Sequence, residues 1–342
     1  MSELTTPDQS RTANALADER MLRDLRFGLS RAQKEIPPTY FYDAKGSALF
    51  DRITRLPEYY LTRAERALLE RHSASIADAV RSRSLVELGA GSADKSRILI
   101  RALRARKACD TYVPVDVDPV TLAATEAALR LEFPGLEVAP VIADMRFAYV
   151  LPPATPRPIL CAFLGSTIGN FAPTEAQQLL LRLREQIGAD GRILLGVDLV
   201  KDAKTLEHAY NDAEGVTAEF NINVLSVLNR ELGAEFEPAM FQHRAFYDPR
   251  LRRIEMHLVS RAHQRVAIPA IGEIELAEGE TIRTEISCKY DRASAEEMLR
   301  AAGLRLQRWM EAADGSFALA LASVASAAPA APAAPAAPAA PG

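Results

Sequence analysis

The run Leu85-Val86-Glu87-Leu88-Gly89-Ala90-Gly91-Ser92 decides the fold. It opens apolar, carries one acid, turns on two glycines, and leads into helical spacing over 93–105. Strand, glycine turn and helix is the geometry that lets a backbone approach a ligand at the carboxyl end of the first strand of an open α/β sheet. Gly89 and Gly91 carry no Cβ, so the turn can be tight and lie against that ligand.

Outward from this run, apolar segments alternate with helical ones. Strands are expected over 84–89, 111–117, 136–143, 158–164 and 192–197, and helices over 93–105, 119–132 and 175–187. Repeated βα units predict a parallel, doubly wound sheet with right-handed crossovers. The alternation breaks after residue 199. A long helical stretch over 205–232 and alternating segments over 253–259 and 264–268 predict an inserted α+β domain, against which the aromatic segment 39–61 should pack. A helix over 293–302, capped by Gly303, then leads to two strands, 305–309 and 317–322, joined by Asp314-Gly315. The expected division is a substrate-binding domain of 16–63 plus 199–288 and a cofactor-binding domain of 64–198 plus 289–323. Residues 1–15 and the Ala-Ala-Pro repeats of 324–342 should be disordered, since Pro at every third position blocks helix and sheet.

Composition excludes several classes. A net charge of −4 over 342 residues opposes a chain built on phosphate contacts. The basic run 97–107 has helical spacing and reads as a solvated helix face, so no nucleic-acid partner is expected. Three scattered cysteines without a CxxC pair fit a reduced compartment and offer no metal site; Cys161 reads as core. With no secretory apolar region and no apolar run of roughly 18–20 residues, a cytoplasmic protein away from membranes is expected.

The glycine loop lacks the third glycine of a dinucleotide fingerprint, which weakens a nicotinamide reading. Acids stand at successive strand ends: Glu87 in the first strand, Asp116 after the second, Asp144 beside Met145 after the third. Each alone reads as a turn or helix cap. Together they suit a positively charged sulfonium nucleoside, with Asp116 on the ribose hydroxyls and Asp144 on an adenine amino group, and would repel a pyrophosphate.

The ELGAG, PVDVD and IADM segments resemble a class I S-adenosylmethionine-dependent methyltransferase, which implies a Rossmann-like sheet of order 3-2-1-4-5-7-6. Three further segments narrow the resemblance: Phe41–Ser47 with Ile53–Tyr60, Phe163–Phe171, and Arg283–Tyr290. From about residue 27 to 322 the chain resembles the histidine-specific S-adenosylmethionine methyltransferases of ergothioneine biosynthesis. The resemblance implies trimethylation of the α-amino group of L-histidine to hercynine. It implies that Tyr59, Gly165, Asn170, Tyr210, Met256, Glu285, Ile286 and Ser287 bind substrate. Gly89, Gly91, Lys95, Asp116, Asp144 and Met145 would bind S-adenosylmethionine, and Tyr42, Tyr59 and Asn170 would serve catalysis, with no metal.

Physical chemistry supports these roles. Glu285 and Ser287 are two apart, so an extended segment points both to one face, where a carboxylate and a hydroxyl can meet the two imidazole nitrogens. By itself Glu285 also reads as an ion-pair partner of Lys289 or Arg283, and Tyr210 as interface packing. Asn170 stands at a strand's carboxyl end, suited to a substrate carboxylate. The nucleophile must be the neutral amine, and a solvent-borne proton loss would leave orientation as the main contribution. A methyltransferase for another amino acid such as tryptophan, or a non-catalytic S-adenosylmethionine-binding protein, are the competing readings. An indole offers one donor and no acceptor, which counts against the first. A monomer is expected.

Overall fold

The computed structural model describes residues 19–147 and 149–325. The expectations for residues 1–15 and for the Ala/Pro tail lie outside the described residues, save that Val324 ends a strand. The described residues open with a helix over 19–29 (α1), then β1 (Lys34–Glu35), a 3-10 turn (Pro38–Phe41), α2 (Ala44–Ile53) and α3 (Leu61–Val80). Next come β2 (Ser84–Leu88), α4 (Ser96–Arg104), β3 (Thr111–Asp116), α5 (Pro119–Glu132), β4 (Glu137–Val138) and β5 (Val141–Ile142). β6 (Ile159–Phe163), α6 (Pro173–Ile187) and β7 (Arg192–Asp198) follow. Beyond them lie α7 (Ala203–His208), α8 (Val216–Leu232), β8 (Phe241–Asp248), β9 (Arg253–Ser260), β10 (Gln264–Ile268), β11 (Gly272–Leu276) and β12 (Thr281–Cys288). The last elements are α9 (Arg292–Ala301), β13 (Leu304–Glu311) and β14 (Phe317–Val324).

The main sheet has the order β13-β14-β7-β6-β2-β3-β4, with β5 also on β3. Its strands are parallel except β14, antiparallel to β7, and β13, antiparallel to β14. Counting β4 and β5 as one strand, this is the expected 3-2-1-4-5-7-6. β2 and β6 are buried along their whole length, as strands covered by helices on both faces must be. Alternate residues feed opposite cores: Leu85, Leu160 and Leu194 one, Val86, Cys161 and Leu195 the other.

Two expected elements are interrupted. The strand over 136–143 splits into β4 and β5 at Ala139-Pro140, where proline has no N–H for the ladder. The helix over 205–232 is two helices. Gly215 takes φ +73 between them, and Asp212 caps α8 by accepting from the amides of Val216 and Thr217 at 2.8 and 2.7 Å.

A second sheet, β1-β12-β9-β8, stands beside the first, with β10 and β11 as a separate hairpin. The aromatic segment packs on α8, where the Phe41 and Phe220 ring centroids are 4.6 Å apart. The end of β12 is stitched to the end of β7: the Tyr290 amide donates to the Asp198 carbonyl at 2.9 Å. That seam brings β12 to the carboxyl edge of the main sheet.

Candidate active site

A cavity of about 1360 Å³ opens at the carboxyl ends of β2, β3 and β6. Its wall includes Tyr42, Tyr59, Gly89, Gly91, Lys95, Asp116, Asp144, Met145, Gly165, Asn170, Glu285 and Ile286. A pocket for one small molecule occupies roughly 300–1,000 Å³. This one has room for a nucleoside and an amino acid together.

On the glycine loop, Gly89 and Gly91 take φ +65 and +48, where a side chain would be strained. No atom lies within 4 Å of a Cβ placed on Gly91, so conformation rather than space requires glycine there. Its amide donates to Asp116 Oδ2 at 2.9 Å, while Oδ1 accepts from the amides of Val117 and Asp118 at 2.7 and 3.2 Å. Of about four acceptor positions on the carboxylate, roughly one remains for the cavity. The other strand-end acids are less free than their positions suggest. Asp144 is gripped by Arg146, whose Nη2 and Nε donate at 2.7 and 3.0 Å. Glu87 is buried and receives the Tyr112 hydroxyl; burial pushes its pKa up to about 7. Of the three strand-end acids, Asp116 therefore contributes most of the negative field facing a sulfonium. An exposed glycine backbone beside a fixed carboxylate still fits an adenosyl group.

On the other wall, Asp43 caps α2 by accepting from the Gly46 amide at 2.8 Å and also holds Asn223 and Arg230. A Cβ on Gly46 would overlap the Phe41 carbonyl oxygen. The Asp and Gly of this motif thus fix the turn that carries Tyr42, while Phe50 and Phe220 flank its ring edge-on at 5.7 and 5.8 Å. Tyr59 is set by Arg63, whose guanidinium donates to the carbonyls of Leu56 and Pro57 at 2.7 and 2.6 Å. Burial, reinforced by neighbouring charge that includes Glu285, holds both tyrosine pKa values well above the ordinary value.

Asn170 ends a tight turn. Gly165 and Ser166 both take positive φ, and Ser166 Oγ accepts from the Asp198 amide at 2.9 Å. Among the described residues, the side chains of Tyr42, Tyr59, Asn170 and Glu285 have no hydrogen-bond partner. Burial pushes Glu285 up to about 7, opposed by the charge of Lys289. Its suspected ion-pair partners are engaged elsewhere: Arg283 with Glu35 at 2.5 Å, Lys289 with Asp198 at 2.8 Å.

Tyr210, Met256 and Ser287 lie behind the cavity wall. The Tyr210 hydroxyl donates to Ser287 Oγ at 2.9 Å, and Lys289 Nζ donates to the same oxygen at 2.8 Å. Asp198, which anchors Lys289, also accepts from Tyr60 and Lys201 at 2.8 and 2.6 Å. Met256 pairs across from Glu285 and is 2% exposed. A register shift between Arg283 and Glu285 precedes this pair.

Sequence reasoning missed Glu65, Asp198, Lys289 and Arg146. Asp198 carried the strand-end signal that found Asp116. Arg146 stands two residues beyond Asp144, whereas Glu65 sits in an ordinary charged helix face and gave no signal.

The sheet order, glycine loop and cleft define a class I S-adenosylmethionine-dependent methyltransferase. The profile of the histidine-specific, SAM-dependent methyltransferases matches residues 21–324, and the chain belongs to that family. It is 45% identical over 302 residues to Histidine N-alpha-methyltransferase of Mycobacterium tuberculosis, covering 88% of this chain and 94% of the relative. Against the Mycolicibacterium smegmatis protein of the same name, identity is 44% over 307 residues, covering 90% and 95%. Ergothioneine biosynthesis protein 1 of Neurospora crassa is 30% identical over 297 residues, covering 81% of this chain and 32% of that longer protein. Among the described residues no helix is long and apolar enough to cross a membrane.

Proposed function

We infer that this chain transfers three methyl groups from S-adenosylmethionine to the α-amino nitrogen of L-histidine, giving hercynine for ergothioneine biosynthesis. The observation that carries the reading is Glu285: a carboxyl group without a protein partner, in the wall of the cavity that the glycine loop enters. The near full-length likeness to two proteins named for histidine Nα-methylation supports it.

S-adenosylmethionine supplies a methyl group made electrophilic by its sulfonium sulfur. Gly89, Gly91, Lys95, Asp116, Asp144 and Met145 would hold it. Glu285, when ionised, accepts an imidazole N–H, and Ser287, backed by Tyr210 and Lys289, meets the other ring nitrogen. A site that hydrogen-bonds both nitrogens rejects side chains lacking them. Asn170 secures the substrate carboxylate beside Gly165, and Tyr210 reaches it when its hydroxyl turns away from Ser287, with Ile286 and Met256 bounding the pocket. Tyr42 and Tyr59 orient the amine directly or through water. Burial holds both as neutral hydroxyls in the ligand-free protein, and the ammonium proton leaves to solvent before alignment. Aromatic faces then tolerate a quaternary ammonium with no N–H to donate.

The two sheets support a division into a substrate lobe (16–63 and 199–288) and a cofactor lobe (64–198 and 289–323), with the ligands between. We propose that the chain acts as a monomer; light scattering on the purified protein tests it. Three free, buried cysteines support a cytoplasmic setting. Purified protein incubated with S-adenosylmethionine and a panel of amino acids, read by mass spectrometry, should add three methyl groups to histidine alone. Histidine left at its starting mass would overturn the reading.

A further inference from the structure

Glu65 projects from α3 and is fully buried. Both its oxygens accept from the Gly165 amide, at 2.8 and 2.9 Å, and Lys95 Nζ donates to Oε2. Lys95 leads into the helix after the glycine loop and lines the cavity on the cofactor side. Gly165 starts the turn that ends at Asn170 on the substrate side. One carboxylate thus ties together two walls that sequence places far apart. The main sheet makes room for it. A Cβ on Gly196, in the middle of β7, would overlap Glu65 Oε1. Gly196 makes no turn and takes no positive φ, and glycine weakens a strand interior, so close approach is its reason. The Glu65 charge also reaches the reaction centre, where it helps to raise the Tyr59 pKa.

We propose that Glu65, which stands behind the cavity wall, is a positioning residue that keeps the cofactor wall and the substrate wall of the reaction centre in register. This rests on the histidine methyltransferase reading. Transfer between two bound molecules depends on their mutual placement, and a misplacement of about 1 Å can cost on the order of 10²-fold in rate. Replacing Glu65 leaves Lys95 without its fixed partner and frees the Gly165 turn at the same time.

Steady-state kinetics on Glu65→Gln, with thermal melting as a control for folding, tests this. The expected result is kcat lowered at least tenfold with KM raised for both S-adenosylmethionine and histidine. Lys95→Met should raise the cofactor KM and spare histidine. A folded Glu65→Gln with kcat and both KM values within twofold of the parent overturns the proposal. So does one in which only the cofactor KM changes. If Glu65→Gln does not fold, Gly196→Ala decides by the same criteria, because it displaces the carboxylate without removing its charge. Failure of the parent chain to methylate histidine strikes the functional reading. An active parent with an unaffected variant strikes this proposal alone.

Discussion

Gly169 lies so close to β12 that a Cβ there would stand 2.8 Å from the carbonyl oxygen of Cys288 and 3.1 Å from its amide nitrogen. Backbone on that side cannot yield as a flexible side chain can. The close approach sets the distance between Asn170, one residue on, and Glu285, three residues before Cys288. Gly169→Ala should push the two elements apart without altering a ligand group. We expect kcat/KM for histidine to fall at least tenfold while affinity for S-adenosylhomocysteine, measured by calorimetry, stays within twofold. Loss of both affinities together would place the effect in the sheet rather than in the substrate pocket.

Glu285 gives a pH dependence with a defined sign. Burial raises its pKa to about 7 in the folded protein, above the ordinary value of 4.5. Its contribution to the stability of the ligand-free protein is therefore full below about 4.5 and declines as pH rises through about 7. Histidine binding uses the ionised carboxylate, so affinity should rise across the same interval. Glu285→Gln should weaken histidine tenfold or more at pH 8, much less near pH 5, and leave the cofactor unaffected. Titrations of histidine at several pH values read this directly. The substrate's own imidazole titrates in both proteins, so the difference between their curves isolates Glu285.

Much of this site was legible because strand ends and glycine turns announce themselves locally. Gly89, Gly91 and Asp116 followed from strand-turn-helix spacing, and the sheet order followed once the family resemblance supplied the roles of the last two strands. Long-range side-chain contacts left no such trace. Nothing in α3 marks Glu65 as the residue that reaches Gly165, and the nearness of Arg146 to Asp144 in sequence does not show that its guanidinium folds back on that carboxylate. Alternation along β12 placed Glu285 and Ser287 on one face. It did not show that Glu285 enters the cavity while Ser287 is taken up by Tyr210 and Lys289. The helix expected over 205–232 failed for a local reason that was visible: Asp212 and Gly215 supply a cap and a positive-φ turn inside an otherwise helical pattern.

Asp43 has a structural and a functional consequence together. It caps α2 and receives Asn223 and Arg230, both at 2.9 Å, from α8. Removing a helix cap costs about 1 kcal/mol, and up to about 2 in favourable cases. Asp43→Ala should therefore lower stability by that order in urea unfolding. It should also raise KM for histidine several-fold, since Tyr42 is its immediate neighbour. Asp43→Asn retains a capping oxygen and should recover most of the stability. If Asp43→Ala is destabilised yet keeps its KM for histidine, Tyr42 is held by its aromatic neighbours alone.

The Asp198–Lys289 pair separates stability from substrate recognition. Both side chains are fully buried, and burial alone would raise the Asp198 pKa; Lys289 and Lys201 overcome it and hold the carboxyl below its ordinary value. A depressed pKa contributes stability that is present above the unfolded value near 4 and is lost as pH falls below it through the lower folded value. Breaking a buried pair by removing one partner costs roughly 3–5 kcal/mol. Lys201 and Tyr60 remain on Asp198, so Lys289→Met should fall at or below the lower end. The double variant Asp198→Asn with Lys289→Met should regain part of the loss in urea unfolding, because no uncompensated charge stays behind. Histidine binding should not recover with it. Lys289 also donates to Ser287, and without that bond only Tyr210 remains to hold the Ser287 hydroxyl for the imidazole. Stability regained with affinity still lost would tie Lys289 to the substrate. Recovery of both would reduce it to a structural ion.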